Sequence, residues 1–148
     1  MATVNDILLK KGKEVVSMGA GETVQHAAQL MNERKIGGLV VTEGGKMVGI
    51  FTERDVLRRV VAEPHDPATT VLRDVMTTPV ASCRSETTLE ECVGVMTRKR
   101  IRHLPVVDDE SVCGLITSSD LLEFQMTEHE ATIRYLGNYT FEAGGEAG

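Results

Sequence analysis

The chain has 148 residues, 41% hydrophobic and 26% charged, enough to bury a core without staples. A net charge of -6, with two tyrosines, three phenylalanines and no tryptophan, excludes a phosphate-tracking or base-stacking nucleic-acid surface. No apolar run reaches the roughly 18 residues that a membrane span needs.

Met1 to Asp6 lacks the basic and apolar stretches of a secretory signal, so a cytoplasmic location is expected. Taken in chain order, Val15-Val16-Ser17 reads as a short strand and Thr23 to Arg34 as a helix, with Val24, Ala27, Ala28 and Met31 on one face. Leu39 to Thr42 reads as a strand, Glu43-Gly44-Gly45-Lys46 as a hairpin turn and Met47 to Phe51 as its partner. A second helix is expected from about Thr52, carrying Val56, Leu57 and Val60. Ala62 to Pro67 contains two prolines that stop a helix, and Val71 to Met76 reads as a short helix.

The same order then recurs. Val80-Ala81 is expected as a strand and Thr88 to Lys99 as a helix. Leu104 to Val107 and Val112 to Ile116 follow as strands around the turn Asp108-Asp109-Glu110, with a helix from about Ser118. Leu122, Met126, His129, Ile133 and Leu136 continue that helix as a one-sided stripe, to a stop at Gly137. The stripe has no counterpart expected in the first half, and packs either on its own module or on a second subunit. Residues 143–148 read as disordered. Cys83, Cys92 and Cys113, with no C-x-x-C pair, read as reduced thiols, Cys92 and Cys113 as core fillers.

The recurrence is a duplication. Displaced by 65 residues, Ala20 to Leu57 lies over Ser85 to Leu122 without a gap, with nine identities in 38 positions. The expected division is a first repeat over 1–62, a linker over 63–70, a second repeat over 71–127 and a C-terminal helix end and tail over 128–148. A β-α-β-β-α unit of this size cannot cover both faces of its sheet. Two such units packed sheet against sheet complete each other, which gives an α+β pair with a pseudo-twofold seam and two equivalent clefts.

The strongest local signal is Gly49-Ile50-Phe51-Thr52-Glu53-Arg54-Asp55, echoed by Gly114-Leu115-Ile116-Thr117-Ser118-Ser119-Asp120. Thr-x-x-Asp at a helix start is a capping box in its plainest reading. Two copies beside a seam also offer a carboxylate that can accept ribose hydroxyls and a helix start suited to phosphate. Over nearly all its length the chain resembles the cystathionine β-synthase-type (CBS) domain pair, or Bateman module. The resemblance rests on Gly-h-h-Thr-x-x-Asp in both copies, on Arg100-Ile101-Arg102-His103-Leu104-Pro105-Val106-Val107, and on Asp74-Val75-Met76-Thr77-Thr78-Pro79. It implies seam clefts for AMP, ADP or ATP, or for S-adenosylmethionine or NAD, with no catalytic cofactor.

The resemblance further implies that Asp55 and Asp120 hold ribose hydroxyls and that Thr52 and Thr117 contact ribose or phosphate. The Asp55 cleft would add Val80, Ala81, Arg102, His103 and the following Pro105 from the second copy, with Arg54 the best-placed helix arginine. The Asp120 cleft would add Val15 and Val16, with Gly37 and Gly38 where the other has Arg102 and His103. Unequal clefts follow: the Asp55 side for a phosphorylated ligand, the Asp120 side weak, empty or for a less charged adenosyl group. His103 alone would read as a half-buried strand residue, and the arginines as a solvated face or subunit contact.

No G-x-S-x-G, H-E-x-x-H, P-loop or histidine cluster with metal-ligand spacing occurs. The expectation is a non-catalytic sensor, homodimeric or paired with an effector protein, with no nucleic-acid or membrane partner. The alternative is an interaction protein with empty clefts, assembled through its C-terminal helix.

Overall fold

The structure is a computed structural model, and it describes residues 1–128. Helix α1 (Val4–Lys11) comes first, then strand β1 (Ser17–Gly19), helix α2 (Val24–Arg34), strands β2 (Gly38–Glu43) and β3 (Lys46–Thr52), and the short helix α3 (Glu53–Val56). A π-helical turn, Leu57–Val61, continues α3. Helix α4 (Leu72–Val75) precedes the second repeat, built from helix α5 (Leu89–Lys99), strands β4 (His103–Asp108) and β5 (Ser111–Thr117), and helix α6 (Ser118–Glu128).

The two hairpins match residue for residue. Gly38↔Thr52 and Val41↔Gly49 in the first correspond to His103↔Thr117 and Val106↔Gly114 in the second. Each turns through two residues of positive φ, Gly44 and Gly45 in one and Asp109 and Glu110 in the other. Thr23 and Thr88 cap the long helices by accepting the His26 and Glu91 N–H groups.

The opening strands differ from expectation. β1 begins at Ser17, so Val15 and Val16 precede it, and it runs parallel to β2. In the second repeat Val80 and Ala81 form no strand, and only Cys83 bridges Val106. Proline supplies the reason. The Val40 N–H donates to the Val16 carbonyl at 3.1 Å. The equivalent residue, Pro105, has no N–H to give the Ala81 carbonyl, so Val80 and Ala81 leave the sheet.

The sequence pattern did not disclose α1, whose apolar face completes the other repeat. Val4, Ile7 and Leu8 are buried with Leu89, Leu104 and Ile116, while Leu72 and Val75 of α4 are buried with Leu39, Val41 and Phe51. The exchange is reciprocal to the level of single bonds. Val4 and Asn5 donate to the Thr87 and Ser85 carbonyls, as Leu72 and Arg73 donate to those of Glu22 and Ala20. The glycines opening both Gly-h-h-Thr-x-x-Asp motifs lie under these segments. A Cβ on Gly114 would meet Leu8 Cδ2 at 2.8 Å, and one on Gly49 would collide with Met76.

On the described part of the C-terminal stripe, Leu122 and Met126 are exposed. They do have counterparts, because Leu57 and Val61, at the equivalent positions, are exposed as well. His129, Ile133, Leu136, Gly137 and the 143–148 segment lie outside the described residues.

Candidate functional site: two unequal clefts at the seam

β3 runs straight into α3, so the Thr52–Asp55 box forms where the sheet ends. Asp55 Oδ2 accepts the Thr52 N–H at 2.9 Å and the Thr52 hydroxyl at 3.4 Å. Its Oδ1 accepts the Thr77 hydroxyl at 2.7 Å, and Arg59 Nε stands 4.0 Å away. Asp55 is only 4% exposed, the one buried charged residue described. The capping role is therefore real. Of the carboxylate's roughly four acceptor positions three are taken, and the free one is on Oδ1.

A cavity of about 750 Å³ opens in front of this box. Thr52, Arg54, Asp55, Val80, Ala81, Arg102 and His103 all line it, so seven of the residues singled out from sequence meet in one space. Ile50, Leu57, Pro79 and Ile101 supply apolar wall. The lining also holds Arg58, Arg59, Lys99 and Arg100, which makes six permanent cations against Glu53 and Asp55. A chain of net charge -6 thus turns a surplus of four positive charges into one cleft. Arg54 and Arg59 are anchored on main chain, donating to the Arg100 and Met76 carbonyls.

His103 is held below its ordinary value of 6.5, chiefly by burial, with Glu53 pulling the other way. Its ring packs on the first repeat's glycine pair. A Cβ on Gly38 would lie 3.2 Å from the ring, and one on Gly37 would lie 3.0 Å from Glu53 Oε1. Across the pseudo-twofold axis a large side chain thus faces a missing one, and two histidines would collide.

A scan of the chain against family models matches the CBS domain over residues 4–62 and again over 72–127. The chain belongs to the CBS-domain family. The CBS domain-containing protein YhcV of Bacillus subtilis is 32% identical over 131 residues, covering 88% of this chain and 91% of that one. The solved CBS-domain protein ATU1752 of Agrobacterium tumefaciens is 32% identical with a TM-score of 0.80, covering 84% and 99% of the two chains. The CBS pair of protein MJ0100, solved with 5′-methylthioadenosine and S-adenosyl-L-methionine, is 24% identical with a TM-score of 0.76 over 86% and 98%. That last likeness is one of fold alone.

The CBS pair's second cleft is built differently. Asp120 Oδ2 accepts the Thr117 N–H at 2.8 Å, repeating the capping box. Lys11 Nζ donates to the same oxygen at 2.6 Å and to the Leu115 carbonyl at 2.7 Å. A cavity of about 200 Å³ lies here between α1 and α6, lined by Lys10, Lys11, Asp120, Glu123 and Phe124 among others. At the positions of Arg58 and Arg59 stand Glu123 and Phe124. Val15, Val16, Gly37, Gly38 and Thr117 line neither cavity. Pro105 is buried in β4 opposite Leu115, and its carbonyl accepts the Cys83 N–H at 3.0 Å.

Sequence reasoning missed Thr77 and Lys11 as parts of these sites. Thr77 was legible as a hydroxyl just after α4, but its approach to Asp55 depends on the exchange of α4. Cys83 and Cys113 are not activated nucleophiles. The hydrogen bond with Cys92 and burial push Cys83 up, and burial pushes Cys113 up.

Proposed function

We propose that this CBS pair is a non-catalytic sensor that binds one adenine nucleotide, AMP, ADP or ATP, in the Asp55 cleft. Occupancy is passed on through the geometry of a homodimer or of an effector protein, in the cytoplasm. One observation carries the reading: an acidic ribose anchor, an apolar slot and six cations share one cavity of about 750 Å³, within the range of small-molecule sites. In this arrangement Asp55 accepts ribose hydroxyls, while Arg102, His103 and the flanking cations take the phosphates.

The base slot favours adenine for a physical reason. Pro105 leaves the Ala81 carbonyl without its sheet bond, an acceptor beside the cavity wall. The 6-amino group of adenine can donate there, whereas the 6-oxo group of guanine would face it oxygen to oxygen. The positive surplus also disfavours S-adenosylmethionine, whose sulfonium is a cation, and favours anionic ligands in proportion to charge.

Catalysis finds no support in the site, because Asp55 and Asp120 serve separate clefts and each caps its own helix. The second reading, an interaction protein with empty clefts, is favoured by exposed Leu57, Val61, Leu122 and Met126. Calorimetric and thermal-shift titration with AMP, ATP, GTP, NAD and S-adenosylmethionine separates the two readings. A ligand at a hundred times its Kd stabilises by about 2.7 kcal/mol. The sensor reading requires ATP or AMP to bind more tightly than GTP or S-adenosylmethionine, and silence from all of them leaves the interaction reading.

A further inference from the structure

We propose that Lys11 is a detachable plug: it closes the Asp120 cleft to nucleosides and so decides how many clefts of the pair can be filled. The inference rests on the reading of Asp55 as a ribose anchor, carried to its pseudo-symmetric twin.

The argument begins with Thr77. In the first repeat, the Thr77 N–H donates to the Ile50 carbonyl at 2.8 Å and its hydroxyl donates to Asp55. Backbone pairing thus fixes the segment that approaches the carboxylate, and the nearest cation, Arg59 Nε, stands off at 4.0 Å. In the second repeat Leu115 and Asp120 are the equivalents of Ile50 and Asp55. No backbone N–H reaches them from α1, which continues as helix to Lys11. The Lys11 ammonium makes both bonds instead, to the Leu115 carbonyl and to Asp120 Oδ2. One side chain has replaced a backbone bridge.

The replacement differs in two ways that bear on binding. An ammonium 2.6 Å from the carboxylate cancels the charge that a ribose diol would use and takes up space beside it. The Lys11 tether is also four rotatable bonds rather than a peptide, and its side chain is 33% exposed, so it can swing out without disturbing the buried Val4, Ile7 and Leu8. With Lys11 gone, only Lys10 stands in the lining against the carboxylates of Asp120 and Glu123, which leaves a net negative charge where the other cleft has a surplus of four positive ones. The opened cleft suits an uncharged nucleoside, not a nucleotide.

The test is titration of adenosine into the full chain already saturated with ATP, for the wild type and Lys11→Met. Methionine keeps the length and apolar stem of lysine while removing the ammonium. The wild type should take up no adenosine, and Lys11→Met should take up one per chain. Adenosine should bind the variant about tenfold or more tightly than 2′,3′-dideoxyadenosine, which lacks the diol. A variant that melts at a lower temperature yet takes up no adenosine would make Lys11 a structural staple and overturn the proposal. Uptake by the wild type would overturn it too. Lys11→Gln, neutral and still able to donate, repeats the test if the methionine variant fails to fold. If ATP binds neither protein while adenosine binds only Lys11→Met, the nucleotide-sensor reading fails and the plug stands.

Discussion

Asp55 performs two jobs, and Asp55→Ala removes both. The substitution deletes the cap on α3, which is worth about 1 kcal/mol. It also deletes the acceptor of the Thr77 hydroxyl at 2.7 Å, a charged hydrogen bond worth about 1.5–3 kcal/mol. A loss of roughly 2–4 kcal/mol lowers the melting temperature of a chain this size by about 5–15 °C. If the carboxylate also holds the ribose, ATP affinity falls by about ten- to a hundredfold on top of any unfolding. Asp120→Ala is the control. It removes the matching cap and the Lys11 ion pair, whose partners are 33% and 17% exposed, and should leave ATP affinity within about twofold because the clefts are separate. Thermal melts establish which variants are folded, and calorimetry on those gives the affinities. Unchanged ATP binding by folded Asp55→Ala, or lost binding by Asp120→Ala, would refute the assignment of the clefts.

Further outcomes follow from the same geometry. Gly114→Ala drives a methyl into Leu8 and should cost about 1–3 kcal/mol in denaturant unfolding, without touching ATP affinity. Gly49→Ala meets Met76 and, at 3.1 Å, the Thr77 carbonyl, so calorimetry should show weaker ATP binding as well. Burial lowers His103, so the unfolded chain takes up that proton first as pH falls. Its contribution to ligand-free stability is full above about 6.5 and is lost as pH falls below that, through the lower folded value. Bound phosphate favours the imidazolium, so ATP affinity should rise over the same interval, and His103→Asn should flatten both trends in melts and titrations at matched pH. Leu57→Glu combined with Leu122→Glu places charge on the exposed apolar pair, and if the proposed homodimer forms there, sedimentation should show the variant as a monomer.

Much of the fold was legible because it is written in short-range pattern. The hairpins showed as apolar runs around Glu43–Lys46 and Asp108–Glu110, and the duplication showed as identities in a single register. Helix α1 escaped because its match to α4 lies at 68 residues, not 65: Val4-Asn5-Asp6-Ile7-Leu8 over Leu72-Arg73-Asp74-Val75-Met76. A gap of three broke the alignment, although Thr3 and Asp6 already spelled a capping box. The missing strand at Val80-Ala81 was readable in principle, since a proline at 105 cannot extend the ladder. The contrast of Gly37 and Gly38 with Arg102 and His103 was legible, although the two glycines line neither cavity. That Lys11 would close one of the clefts was not, because a lone lysine carries no pattern and its partner is 109 positions away.

The swapped helices also constrain the order in which the two halves can finish folding. Val4, Ile7 and Leu8 leave the ribosome long before Leu121, yet the hydrophobic bed they occupy is complete only when Leu121 has been added. Until then the leading segment has nowhere to settle, and the first repeat in turn waits for Leu72 and Val75 to seal it. Neither half is a finished object by itself. A nick in the 63–70 connection should therefore leave two fragments that remain bound, whereas removal of the first eleven residues should strip the far half of its lid.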